Sequence, residues 1–140
     1  MGKRGVRLAL PDAVVKFLQA PTVGILATAS PGGRPQATPV WFLLEDGLIL
    51  VNSSRGRLKL KNMQANPHVA FTVVDPQNIY RYVQIQGRVV RFERERGARD
   101  IDRLSQRYGG RPYQYPPTDR PENRVTILIE PLRFNTMGFK

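Results

Sequence analysis

The chain has 140 residues, with no cysteine and a single histidine, His68. Without cysteine there is no disulfide scaffold, no thiolate zinc ligand and no thiol nucleophile. A histidine-based metal site or a Ser-His-Asp triad would rest on His68 alone, so neither is expected. His68 follows Pro67 at the start of a strand and reads as a surface residue. Long apolar runs are also missing. Val40 to Leu44 and Ile127 to Ile129 are far too short to cross a bilayer. The N-terminal M-G-K-R-G-V-R-L-A-L-P has positive charge but no adequate apolar stretch and no clear cleavage site. A cytoplasmic protein without a membrane partner is therefore expected. Acidic residues are scarce: 11 Asp+Glu stand against 22 Lys+Arg, a formal charge of +11. Such a surplus attracts anions of any kind. The basic residues are dispersed, and no nucleic-acid-binding motif accompanies them, so nucleic acid is not the expected partner.

The length fits one domain, 1–140, with the basic residues 1–10 expected to be flexible. Pro11 suits a helix start, and Val14, Val15, Phe17 and Leu18 supply an apolar stripe that should end near Ala20, before Pro21. Strand signals follow at Thr22 to Ser30, at Arg34 to Glu45 and at Leu48 to Asn52. Their turns are Pro31-Gly32-Gly33 and Asp46-Gly47, which predicts a three-stranded meander. The two prolines of the second strand mark an edge or a bulge. A short helix is expected from about Arg57 to Asn66, then a strand from His68 to Asp75 and a long strand from Ile79 to Phe92. In the long strand Val83, Ile85 and Val89 alternate with Tyr82, Gln84, Gln86 and Arg88, so one face is dry. Glu93 to Tyr108 reads as a surface helix buried through Ile101 and Leu104 and stopped by Gly109-Gly110. Arg111 to Asn123 reads as a loop. Arg124 to Glu130 and Leu132 to Phe139 read as two last strands broken by Pro131. The fold class is thus mainly β: a small antiparallel barrel of six to seven strands with short helices, its interior filled by side chains and any ligand on its outside.

The most informative stretch is V-N-S-S-R-G-R-L-K-L-K-N, Val51 to Asn62. It joins an apolar strand to a helix start, where unpaired backbone N–H groups and the helix dipole favour an anion. Arg57, Lys59 and Lys61 add full charges, and Ser53 and Ser54 add short-range donors. The alternative is a solvated basic helix face. Trp41 is either a core aromatic or a pocket residue, and Pro39 removes a strand N–H where a planar ring can lie flat. Gln84 and Gln86 are polar groups on a long strand that must meet water, a partner or a ligand. The tyrosine-rich loop from Tyr108 to Tyr115 is either a lid or a packing loop.

In order and spacing, T-V-G-I-L-A-T, G-R-P-Q-A-T-P-V-W-F, V-N-S-S-R-G-R-L-K-L-K-N-M, N-P-H-V-A-F-T-V-V-D and V-Q-I-Q-G-R-V resemble the pyridoxamine 5′-phosphate oxidase-like family, the FMN-binding split barrel. The resemblance runs from about Pro11 to Phe139. R-x-K-x-K/R-N after the third strand is most like the subgroup that uses the deazaflavin coenzyme F-420. The resemblance implies a homodimer with the cofactor in a groove between subunits. It implies that Arg57 and Lys59 hold the cofactor phosphate, with Lys61 and Asn62 as helix neighbours. Gln36 to Trp41, including Pro39 and Val40, would lie along the ring. Ser53 and Ser54 would approach the ribityl-phosphate arm, and Tyr82 to Arg88, including Gln84, would face the groove of the partner subunit. The C-terminal F-N-T-M-G-F-K departs from the Arg-x-Trp/His pattern of the vitamin oxidases. The implied function is hydride transfer from F-420 to a small organic acceptor. An FMN oxidase or flavin reductase is the first alternative, and a non-catalytic polyanion-binding module is the second.

Overall fold

The computed structural model describes residues 8–139. The basic segment expected to be flexible lies, up to residue 7, outside the described residues. Helix α1 (Asp12–Gln19) buries Val14 and Leu18 and stops where Ala20 turns extended before Pro21. Strands β1 (Gly24–Ala29) and β2 (Pro35–Val40) form a hairpin across the Pro31-Gly32-Gly33 turn. Strands β3 (Leu43–Glu45) and β4 (Leu48–Ser54) form a second, whose turn residues Asp46 and Gly47 both have positive φ. Helix α2 (Leu58–Ala65) leads to a third hairpin, β5 (His68–Asp75) and β6 (Asn78–Glu93). Helix α3 (Gly97–Gly109) ends on Gly110 in the left-handed conformation. A loop and one 3-10 turn then lead into β7 (Arg124–Met137).

The seven strands of the described residues form one antiparallel sheet in the order β2-β1-β5-β6-β7-β4-β3. The two strands at the ends of that order are consecutive in sequence, and only Trp41 and Phe42 join them. Two residues cannot reach across an open seven-stranded sheet, since a chain spans at most ~3.6 Å per residue. The sheet must therefore curl until its edges meet. No ladder joins β2 to β3 among the described residues, so the barrel is split at this seam. Phe42 plugs it, fully buried and edge-on to Phe71 at 4.9 Å. The interior is filled by side chains from the inner faces, among them Leu26, Ile49, Val51, Val73, Ile85 and Ile127. A second cluster lies outside the barrel wall, where Ile101 and Leu104 of α3 pack on Leu48, Leu50 and Leu128. Val83, Ile85 and Val89 form the dry face of β6 as expected.

Three expectations are corrected. Arg34 to Glu45 is not one strand: the chain leaves β2 at Trp41 and enters β3 at Leu43, on the opposite edge. The three-stranded meander does not exist, because β4 pairs with β7 and β3, and β2 pairs with β1 alone. A β-rich apolar run hides such a crossing, since Val40 to Leu44 suits either edge. Pro131 does not divide the C-terminal segment. It sits opposite Gly87 where the register shifts, so a bulge absorbs its missing N–H and β7 continues.

Candidate functional site

The seam has a second consequence. Outside the barrel, the β2–β3 link, the end of β4, the start of α2, the buried face of α3 and the start of β7 leave a cavity of about 280 Å³. Pro39, Val40 and Trp41 form one wall, and Ile101 and Leu104 form an apolar floor. Tyr113, from the loop after α3, closes one side. Trp41 is fixed by stacking on Tyr108, centroids 5.5 Å apart and 11° between planes, and by the edge of Tyr113 at 6.4 Å. The Tyr108 hydroxyl donates to a backbone carbonyl of Thr22 at 2.9 Å. Arg107 ties this corner down, donating to the carbonyls of Leu18, Gln19, Ala20 and Phe42. Those carbonyls include orphans at the end of α1.

Three cations converge on the same cavity: Arg57, Lys59 and Arg124. Arg57 precedes the first turn of α2, and Lys59 lies within it and is buried. No acceptor or carboxylate is paired with Lys59 among the described residues. Burial, then Arg57 and Arg124, push its ammonium pKa down from the ordinary lysine value. Unmatched positive charge in a concave, partly desolvated place is the chemistry of an anion site.

Arg124 is buried and doubly held. Its Nη1 donates to Asp119 Oδ2 at 2.8 Å, and its Nε donates to Asn52 Oδ1 at 2.9 Å. Its guanidinium lies 5.3 Å from the Tyr113 ring centroid. Asn52 donates in turn to the Gly97 carbonyl at 2.9 Å and to Thr126 Oγ1 at 3.4 Å. Thr126 donates to the fully buried Asp100 at 2.7 Å, and Arg96, Arg99 and Arg103 pair with that carboxylate. Burial pushes the Asp100 carboxyl up, but the Thr126 hydrogen bond and these arginines outweigh it and hold it below the usual carboxylate range. Burial likewise pushes Asp119 up, while Arg124, the Arg120 N–H and the Ser54 hydroxyl bring it below its ordinary value.

Of the twelve residues expected at the site, the cavity collects Pro39, Val40, Trp41, Arg57 and Lys59. The other seven do not line it. Ser53 follows Ile49 and Val51 onto the barrel's inner face, where its hydroxyl is buried with no hydrogen bond among the described residues. Ser54 is buried and engages Asp119. Gln36 lies opposite Thr28 on the inner side of β2, its Oε1 also buried with no partner among the described residues. Asn62 is buried and donates to Thr28 Oγ1 at 3.0 Å. Lys61 is exposed and does not line the cavity. Gln84 lines a separate depression with Thr72, Tyr82 and Asn135, and Arg88 is exposed farther along β6. Neither reaches the cavity of its own chain. Asn52 and Arg124 also line the cavity, and the sequence alone does not single them out. A polar residue ending the apolar strand Leu48–Val51 and an arginine opening the apolar run Val125–Ile129 were the available signals. The register that brings both strands together, Asn52 opposite Thr126, was not visible. His68 is an exposed surface residue, and no helix among the described residues is long and apolar enough to cross a membrane.

The pyridoxamine 5′-phosphate oxidase family pattern matches residues 10–138. The chain belongs to this family. Among solved structures, the family member is similar to an F420 reductase, with 33% identity over 90% of this chain and 98% of that one and a TM-score of 0.80. A conserved hypothetical protein from Mycobacterium tuberculosis is 25% identical over 98% of this chain and 89% of its own, with a TM-score of 0.71. The heme storage protein HutZ from Vibrio cholerae shares the fold at 17% identity, with 94% and 97% of the two chains covered and a TM-score of 0.68. No protein of curated function matches the chain.

Proposed function

We propose that this family member is an oxidoreductase that binds coenzyme F-420 through its phosphate in the seam cavity. The observation that carries the reading is the meeting of Arg57, Lys59 and Arg124 beside the Pro39–Trp41 wall. A phosphate answers the unmatched charge there, and a flat ring suits a wall whose Pro39 lacks an N–H. The donor set therefore fits the group. Bound F-420 supplies hydride chemistry at its deazaflavin ring, and the protein supplies binding, orientation and a dry groove. Arg57 and Lys59 hold the phosphate. The exposed Lys61 and Arg55, on the solvent side of the same helix start, attract the polyglutamate tail. That tail is why F-420 is preferred over FMN, whose anionic part is one phosphate. The hydride acceptor is a small organic molecule with an electron-poor double bond, or a quinone.

A homodimer is part of the proposal. A cavity of about 280 Å³ lies at the lower end of small-molecule sites, so most of the cofactor needs a second wall. The outer face of the sheet offers one. Ile25, Ala27, Ala37, Ala70 and Thr72 share it by register, and Ile25 and neighbouring Val23 are large apolar residues left exposed. Gln84 lies opposite Thr72 on that face and Arg88 opposite His68, so a partner subunit would bring both to the groove.

The test is titration of the purified protein with F-420 and, separately, FMN, read by ligand fluorescence and repeated with Lys59→Ala. Tight F-420 binding lost in the variant is expected. FMN binding alone would move the protein to the oxidase or flavin-reductase branch, and binding of neither would defeat the cofactor reading.

A further inference from the structure

The notable feature of Arg124 is how completely it is immobilised. An arginine that only balanced Asp119 would need one contact. Here Nη1 is fixed by a carboxylate that is itself almost fully buried, and Nε is fixed by an amide. That amide has no freedom to flip, because its Nδ2 donates to Gly97 and Thr126. The Tyr113 ring covers the guanidinium. One nitrogen, Nη2, makes no hydrogen bond among the described residues, and the side chain lines the cavity that Lys59 and Arg57 also line. Burying a guanidinium with a donor unused is unfavourable unless an acceptor arrives. Orienting it through both other nitrogens reduces the freedom lost when that acceptor binds.

We propose that Arg124 is a third ligand of the bound phosphate, presented through Nη2, and that Asp119 and Asn52 are positioning residues that set its angle. This rests on the cofactor reading above for the identity of the ligand, but not for the existence of the seat. The seat makes a prediction with a definite sign. Asp119 is a negative charge beside an anion site. If it acted only through its charge, Asp119→Asn would tighten phosphate binding. If it acts by holding Arg124, the same change loosens binding.

The experiment compares ligands with and without the phosphate: FMN against riboflavin, and F-420 against its phosphate-free deazaflavin chromophore. The ratio of the two affinities isolates what the protein does for the phosphate. Arg124→Gln is expected to lower that ratio roughly 10-fold or more while leaving riboflavin binding unchanged, as for loss of a charged hydrogen bond. Arg124→Lys, which keeps the charge but not the fork, should not restore it. Asp119→Asn should lower the ratio several-fold. Equal loss for both ligands in Arg124→Gln would mean a structural role and overturn the proposal. So would a raised or unchanged ratio in Asp119→Asn. Should neither flavin nor deazaflavin bind the wild type, thermal shifts with inorganic phosphate decide. Stabilisation that depends on Arg124 and Asp119 keeps the seat while the cofactor reading falls, and no stabilisation removes both.

Discussion

Gly97 tests the packing argument with two substitutions of opposite expected sign. It begins α3, and a Cβ there would lie 2.0 Å from the Arg124 carbonyl oxygen, 2.3 Å from its carbon and 2.8 Å from the Val125 nitrogen. All three are backbone atoms of β7, so no side chain can swing aside. The helix and the strand would have to part by more than an ångström. Helix propensity alone says the reverse, because alanine is favoured over glycine by up to ~1 kcal/mol in a helix. Overpacking costs about 1–3 kcal/mol. Parting the two elements also breaks the buried Thr126–Asp100 hydrogen bond, and bonds to charged groups contribute about 1.5–3 kcal/mol. Gly97→Ala should therefore destabilise by roughly 3–5 kcal/mol and lower Tm by about 10–15 °C. Gly109 lies at the other end of the same helix, where an added Cβ meets nothing within 4 Å. Gly109→Ala should stabilise by up to ~1 kcal/mol. Urea unfolding of both variants measures the difference. A Gly97→Ala protein within about 0.5 kcal/mol of wild type would refute the claim that α3 is seated on the Arg124 backbone.

Lys59→Met should bind cofactor poorly yet fold more stably at pH 7. Burial and two arginines hold the Lys59 pKa below 10.5, so between that lowered value and 10.5 the unfolded chain binds more protons and wild-type stability rises with pH. The advantage of Lys59→Met should thus shrink as denaturation is repeated at higher pH, and a gap that widens would contradict the assignment. Trp41 is the one tryptophan in the chain and it lines the cavity, so saturating cofactor should change tryptophan emission; an unchanged spectrum would place the ligand elsewhere. Asp100→Asn should cost about 3 kcal/mol at neutral pH. Its folded pKa lies below 3.8, so the wild-type contribution is complete above 3.8 and fades as pH falls through the lower value. Acid titrations of the two proteins should converge.

Local features were legible because their causes are local. Pro11 and Pro21 bracket α1, Asp46-Gly47 dictates a tight hairpin, and period-two alternation exposes the buried face of β6. The charges of Arg57 and Lys59 at a helix start were enough to point at the cavity they line. What failed depends on pairing between distant residues. Nothing near Asn52 says that Thr126 will lie opposite, so the amide that fixes Arg124 looked like one more strand residue. Strand parity alone, without knowing which face is interior, cannot separate the inward Ser53 from Asn52, which lines the cavity. Pro131 read as a stop because the accommodating bulge involves Gly87 on another strand.

The topology also sets an order of events for a chain being synthesised. Three hairpins, β1–β2, β3–β4 and β5–β6, close over short loops and can form as soon as their residues emerge. The β3–β4 hairpin then has no sheet to join until β7 appears, since beyond Leu44 of its own hairpin Ile49 pairs with Ile129. β7 is thus the strand that docks two finished hairpins at once, and non-local joints of this kind fold slowly. Arg124 is its first residue. The nascent chain would carry Arg57 and Lys59 for most of its elongation without a pocket to put them in, and the step that completes the sheet is the same step that completes the cavity they line.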